Sequence, residues 1–299
     1  MHPARLVTLV GALILTTACG GRPEGAIVVG SKNFTESVVL GEILAQALEA
    51  RGVPVVRKLN LGGTFVCHRA LVAGQLDTYV EYTGTAYAAI LELPPERNQD
   101  SVRARLAREY RERWGLTWAA PLGFNNTFAM LVRGETARHL RLRTFSDAVP
   151  YAPAWRAGFG FEFAARADGL PGLLERYGFR FEREPAAMDL GLMYRALADS
   201  QVDLIAGNST DGQIEALDLV HLEDDRGYFP IYDAVPVARR ASLERVPALG
   251  AVFEELGGRI DEAAMRRMNF LVDTGKRDVA AVARDFLAGL GVSSRTNEP

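Results

Sequence analysis

The chain has 299 residues, 24% of them charged, with a formal net charge of −3 and two cysteines. A mildly acidic balance without a basic block argues against nucleic acid as a partner, and Cys19 and Cys67 alone cannot supply a disulfide framework. The roughly 280 residues that follow the first apolar stretch suffice for two ordinary domains, each held by its own core.

Arg5 precedes an apolar run, Leu6 to Leu15, that is too short to span a bilayer, so residues 1–18 read as a signal peptide. The run ends in Thr16, Thr17, Ala18 and Cys19, followed by Gly20. Small residues before a cysteine resemble the lipobox of bacterial lipoproteins, with Thr16 where Leu is usual, and imply acylation of Cys19. An ordinary secretory peptide cut nearby is the alternative. Residues 19–25 are polar and contain Gly and Pro, as a tether should. No later apolar segment is long enough to cross a membrane, so the expectation is an extracytoplasmic body tethered by lipid.

Ala26 to Gly30 is a continuous apolar, β-branched run bounded by glycine, the pattern of a buried parallel strand. Asn33 with Glu36 three residues on has the form of a capping box. A helix then carries Val39, Ile43, Ala47 and Leu48 on its apolar face and stops at Gly52. Val53 to Leu59 predicts a second strand, Thr64 to Ala73 a second helix, and Gln75 to Val80 a third strand. Tyr82, Thr83, Gly84 and Thr85 follow it. At a strand end these would offer a ring, two hydroxyls and a close backbone to a ligand, while a helix cap and a core tyrosine account for them as well.

Ser101 to Trp114 predicts a charged, solvated helix, Leu122 to Arg133 a strand-like crossing, and Gly227 to Arg239 the return crossing before a helix-rich C-terminus. The alternation is that of an α/β protein in two lobes with a cleft between them. The expected division is residues 26–121 with 229–299 as one lobe and 122–228 as the other, with hinge crossings near 121–126 and 220–232.

Catalytic patterns fail. Gly207 to Asp211 lacks the second glycine of a nucleophile elbow, and Gly30 to Glu36 is no P-loop. His2, His68, His139 and His221 show no metal-ligand spacing, so no metal, cofactor or catalytic residue is expected. Tyr82, Tyr194 and Tyr232 each lie where a ring could open on the cleft and hold a cation, although each separately also suits a core. Asn33, Asn125, Asn126, Asn208 and Thr210 gather at expected strand ends, where capping and turns are their ordinary work. Cys67 reads as a buried apolar filler.

Seven segments in order, GSKNFTE (from Gly30), GGTFVCHRAL (Gly62), GQLDTYVEYTGT (Gly74), PLGFNNTFAML (Pro121), MDLGLMYRA (Met188), QVDLIAGNSTDGQI (Gln201) and FPIYDAVPV (Phe229), resemble the substrate-binding proteins of ABC importers for glycine betaine, choline, carnitine and related solutes. The resemblance spans the chain after its first residues. It implies a type II periplasmic binding protein, two α/β lobes joined by a two-segment hinge. Such a protein acts as a monomer, delivers a quaternary ammonium solute to a permease and its cytoplasmic ATPase, and catalyses nothing.

By the resemblance, Tyr82 and Tyr232 would belong to an aromatic cage, with Tyr194 a further candidate, and Asn33, Thr35 and Thr85 would be polar contacts. Thr64, Thr83, Asn125, Asn126, Asn208 and Thr210 complete the candidate ligand-binding set. Asn125 and Asn126 stand where some choline-type relatives carry an acid, and Asn208 where relatives often place an aromatic. A cleft with fewer rings and no acid would suit a zwitterion or a more polar solute such as ergothioneine. A sensing domain without transport and a secreted enzyme on the same fold are the alternatives of other classes.

Overall fold

The computed structural model describes residues 23–94, 96 and 98–292. The expected signal peptide, Cys19 and most of the tether lie outside the described residues.

The run of apolar residues after Ala26 becomes β1 (Ile27–Lys32), buried at every position. It is flanked in parallel by β2 (Val55–Gly62) and β3 (Thr78–Tyr82). Two more strands complete the sheet, β10 (Ala234–Arg239), antiparallel to β3, and β4 (Leu116–Trp118), antiparallel to β10, in the order β2-β1-β3-β10-β4. The intervening chain builds a second sheet on the same plan from β5 (Phe128–Arg133), β6 (Ala157–Gly160), β7 (Ala186–Met188), β8 (Leu204–Asn208) and β9 (Leu219–His221), in the order β7-β6-β8-β5-β9. Each sheet thus has four strands in one direction and a single strand, β10 or β5, running against both its neighbours, and that strand is the one that follows a crossing.

Each sheet is covered on both faces. The Thr35–Glu49 helix buries Val39, Leu40, Ile43, Leu44 and Leu48 against the first sheet and the C-terminal helices Glu262–Asp273 and Val279–Gly289. Its Gly41 permits the close approach, since a Cβ there would lie 3.2 Å from the Gly30 carbonyl oxygen. Tyr79, Tyr110, Leu71 and Leu106 fill the opposite face. Around the second sheet, Phe145, Phe159 and Leu173 lie on one side and Met193, Leu197 and Ile205 on the other. At about 1.5–3 kcal/mol for each fully buried large apolar side chain, these cores explain how the fold stands without a disulfide. Cys67 is buried among them, its thiol pushed up to about 12 by burial, and is an inert filler as expected.

Four local expectations give way. The capping box does not form. Phe34 is the N-cap with no side-chain bond, Ser37 Oγ accepts from the Lys32 amide instead, and Glu36 turns into the interior. Thr83–Thr85 is not an open loop but a helical turn that runs into a π-helix, Ala86–Ile90. The third strand occupies Thr78–Tyr82 rather than Gln75–Val80, because Asp77 is taken up in bonds to the Val28 amide and Ser242 Oγ. The crossing after Leu122 becomes strand only at Phe128; before it, Asn125 bridges to Asp233, so the two crossings run side by side.

Candidate functional site

The ends of β1 and β3 and the start of the Thr64–Val72 helix face the second sheet's β6 and β8 ends across a cavity of about 280 Å³. Seven of the expected residues line it: Asn33, Thr64, Tyr82, Thr85, Asn126, Asn208 and Tyr232. Tyr82 lies at the end of β3, its hydroxyl donating to Glu36 Oε1 at 2.7 Å. Burial and the neighbouring Glu36 carboxylate hold that phenol well above its ordinary value, so it stays neutral.

Tyr232 is placed by the polar residues around it. Its amide donates to Asn125 Oδ1 at 2.6 Å, and its carbonyl accepts from the Asn126 amide at 3.0 Å. Its ring lies over Gly84, where a Cβ would come within 2.7 Å of ring carbons. Gly84 therefore makes room for Tyr232 rather than for a ligand.

The other five expected residues have different partners and do not line this cavity. Asn125 fixes the Tyr232 backbone. Thr83 Oγ1 donates to the Ile231 carbonyl and accepts from the Asp233 amide, both at 3.0 Å. Thr210 Oγ1 donates to Glu36 Oε2 at 2.5 Å. Thr35 Oγ1 donates to Asp273 at 2.6 Å, and the Tyr194 hydroxyl donates to Asp211. Thr35 and Tyr194 open on a second, adjoining cavity of about 380 Å³, with Asp211 and Asp273. Tyr194 cannot reach the first cavity because it lies behind β8, under Gly207, where a Cβ would meet its hydroxyl at 2.0 Å.

More than half of the wall was not legible in the sequence. Phe34, Phe128, Phe161 and Phe163 add rings, and Lys32, Glu162, Arg166 and Asp189 add charge. The expectation of few rings and no acid is therefore corrected. Phe34 lies 6.0 Å from Tyr82, centroid to centroid, and Phe128 lies 5.6 Å from Tyr232. Two ring pairs thus stand on the wall, Phe34 with Tyr82 and Phe128 with Tyr232, and of these four rings only Phe128 comes from the second sheet.

Glu162 comes from the second lobe, yet its Oε1 accepts from the Thr64 amide at 2.6 Å and its Oε2 from Thr64 Oγ1 at 3.1 Å. It caps, from across the cleft, a helix whose own N-cap, Gly63, has no side chain to do so. A Cβ at Gly63 would lie 2.0 Å from that carboxylate. Lys32 is paired with Glu81 and donates to Thr64 Oγ1 at 3.0 Å, while Arg166 forks onto Asp168 at 2.8 and 2.5 Å. The cavity thus offers ring faces and a carboxylate to a cation, and two backed cations to an anion. Among the described residues there is no group of three or more His, Cys, Asp or Glu that could hold a metal ion.

A family model described as the substrate binding domain of ABC-type glycine betaine transport systems matches residues 25–289. The chain is 37% identical over 280 residues to a glycine-betaine-binding protein of Pseudomonas aeruginosa, covering 90% of this chain and 89% of that one. It is 35% identical over 286 residues to a Helicobacter pylori protein named ergothioneine transport permease/ergothioneine binding protein EgtU, covering 94% of this chain but 51% of that relative, about half its length. Among solved structures, a glycine betaine/carnitine/choline ABC transporter protein superposes with a TM-score of 0.74 at 30% identity, covering 89% of this chain and 99% of that one. The two sheets on one plan and this likeness agree with the expected type II periplasmic-binding-protein fold.

Proposed function

The chain belongs to the family of substrate-binding domains of ABC-type glycine betaine transport systems, and on that premise we propose that it captures a quaternary ammonium solute in the cavity between its sheets and delivers it to a permease. The observation that carries this reading is the wall itself: the ring pairs Tyr82–Phe34 and Tyr232–Phe128, with Glu162 reaching across from the second lobe. A trimethylammonium head has no N–H to donate, so ring faces and a nearby carboxylate are the groups that hold it. Lys32 and Arg166 lie where the carboxylate of a betaine would find a cation.

We take residues 26–121 with 229–299 and residues 122–228 as the two closing bodies, turning about the crossings near 121–126 and 220–232. The permease draws on a cytoplasmic ATPase, and the protein works as a monomer outside the cytoplasmic membrane, anchored through an acylated Cys19. Binding without chemistry is the role, since Lys32, Thr64 and Glu162 on the wall pair with one another rather than activating a nucleophile.

A second reading is a larger zwitterion such as ergothioneine. The charged part of the wall, Lys32, Glu162 and Arg166, favours it, and so does the likeness to the Helicobacter protein. A thermal-shift and calorimetry panel of glycine betaine, carnitine, choline and ergothioneine tests both readings, because a true ligand raises apparent stability by mass action. Binding of ergothioneine alone selects the second, and binding of none of the four overturns both.

A further inference from the structure

Glu36, which the sequence offers as a helix cap, is fully buried and accepts hydrogen bonds from four side chains on four separate segments of the chain. Its Oε1 accepts from the Tyr82 hydroxyl and from Asn126 Nδ2, both at 2.7 Å. Its Oε2 accepts from Thr210 Oγ1 at 2.5 Å and from Asn269 Nδ2 at 3.3 Å. One oxygen thus holds two residues of the cavity wall, and the other holds the loop that leaves β8 in the second sheet. We infer that Glu36 is a positioning residue that ties the seating of the second lobe to the ring wall of the cavity.

Three observations support it. Thr210 touches no part of the cavity, yet its loop is docked on the first lobe: Asn269 Nδ2 also donates to the Thr210 carbonyl at 3.0 Å, and a Cβ on Gly212 would lie 2.5 Å from Phe270 Cα. The donors are all neutral. The charged groups nearby are the Lys32–Glu81 pair behind Tyr82, Asp211 held by Tyr194, and Asp273 held by Thr35, and among the described residues none of these bonds to Glu36. Glu36 accepts at both oxygens, Oε1 from the Tyr82 hydroxyl and Oε2 from Thr210, and the Asn126 amide presents Nδ2 to Oε1, which fixes how that side chain stands on the wall.

Moving the second lobe away removes the shortest of the four bonds, and a buried carboxylate left short of donors costs more than the bond was worth in place. The remaining donors must then readjust, Tyr82 among them. The inference rests on the reading of Tyr82 as a wall of the solute cavity.

The test uses the full soluble body without ligand, labelled with fluorotyrosine and with a spin label at one exposed position on each lobe. Thr210→Val is expected to move the fluorine resonance of Tyr82, assigned from Tyr82→Phe, and to broaden the inter-lobe distance toward longer values. Thr210→Ser, which keeps the hydroxyl, is expected to restore both. A Tyr82 resonance and a distance distribution unchanged by Thr210→Val overturn the inference. In calorimetry with glycine betaine, Thr210→Val is expected to weaken binding about fivefold, the low end of ordinary coupling between separated groups. Absence of glycine betaine binding in the parent protein would count against the proposed function, while the unliganded readouts would still decide the role of Glu36.

Discussion

Glu162 of the second lobe accepts two hydrogen bonds from Thr64 of the first, one from its amide at 2.6 Å and one from its hydroxyl at 3.1 Å. Thr64 opens a helix whose first turn has no side-chain cap of its own, so the helix is fully capped only while the lobes are together. On the proposed closure of the two lobes, joining them and completing the wall are one event, as a solute that binds only the closed form requires.

Glu162→Gln halves the acceptor capacity at this joint and removes the charge that complements the helix N-terminus. Hydrogen bonds to charged groups are worth about 1.5–3 kcal/mol, and partial solvent contact at Glu162 places the effect at the lower end. Affinity for glycine betaine is expected to fall about tenfold, with the melting temperature nearly unchanged. Calorimetry on the variant checks this, and unchanged affinity would remove Glu162 from the closing contact.

Gly84→Ala places a methyl group 2.7 Å from the Tyr232 ring. The ring must move, and overpacking of this kind costs about 1–3 kcal/mol of stability. The expected signature is a larger fractional loss of affinity than of stability, because the displaced ring is part of the wall. Chemical denaturation and calorimetry on the same preparation separate the two.

The Asp211 carboxyl is pushed up from 3.8 to about 7 by burial, with Glu36 and Asp273 adding negative charge and the Tyr194 hydroxyl working against the shift. Between these values the folded state holds the proton more tightly than the unfolded chain does. The stability this group contributes is therefore full below about pH 4 and is lost as pH rises through about 7. Asp211→Asn is expected to be more stable than the parent at pH 8, with an advantage that shrinks toward pH 5. Denaturant midpoints at the two values test it, and a difference independent of pH would contradict it.

What the sequence made legible is what periodicity and composition carry. β1 is an unbroken buried run, and its alternation with helices announced the α/β layout. Tyr82 and Tyr232 could be placed because each closes or precedes a strand. Glu162, Phe161 and Phe163 could not, because the segment after β6 shows no spacing that points across a cleft. The one local hint was Gly63, a cap position without a side chain at the start of a helix, which implies an acceptor from elsewhere. Glu36 was misread for a physical reason: a carboxylate in the first turn of a helix ordinarily bonds its own backbone, and only tertiary contacts supplied four better donors.

The central claim is that the ring wall holds a quaternary ammonium head. Calorimetric titration of the parent protein, Tyr82→Ala and Tyr232→Ala with glycine betaine tests it most directly. The parent is expected to bind, and each variant to lose about 1–2 kcal/mol or more of binding energy while remaining folded. Binding undiminished in both folded variants would contradict it.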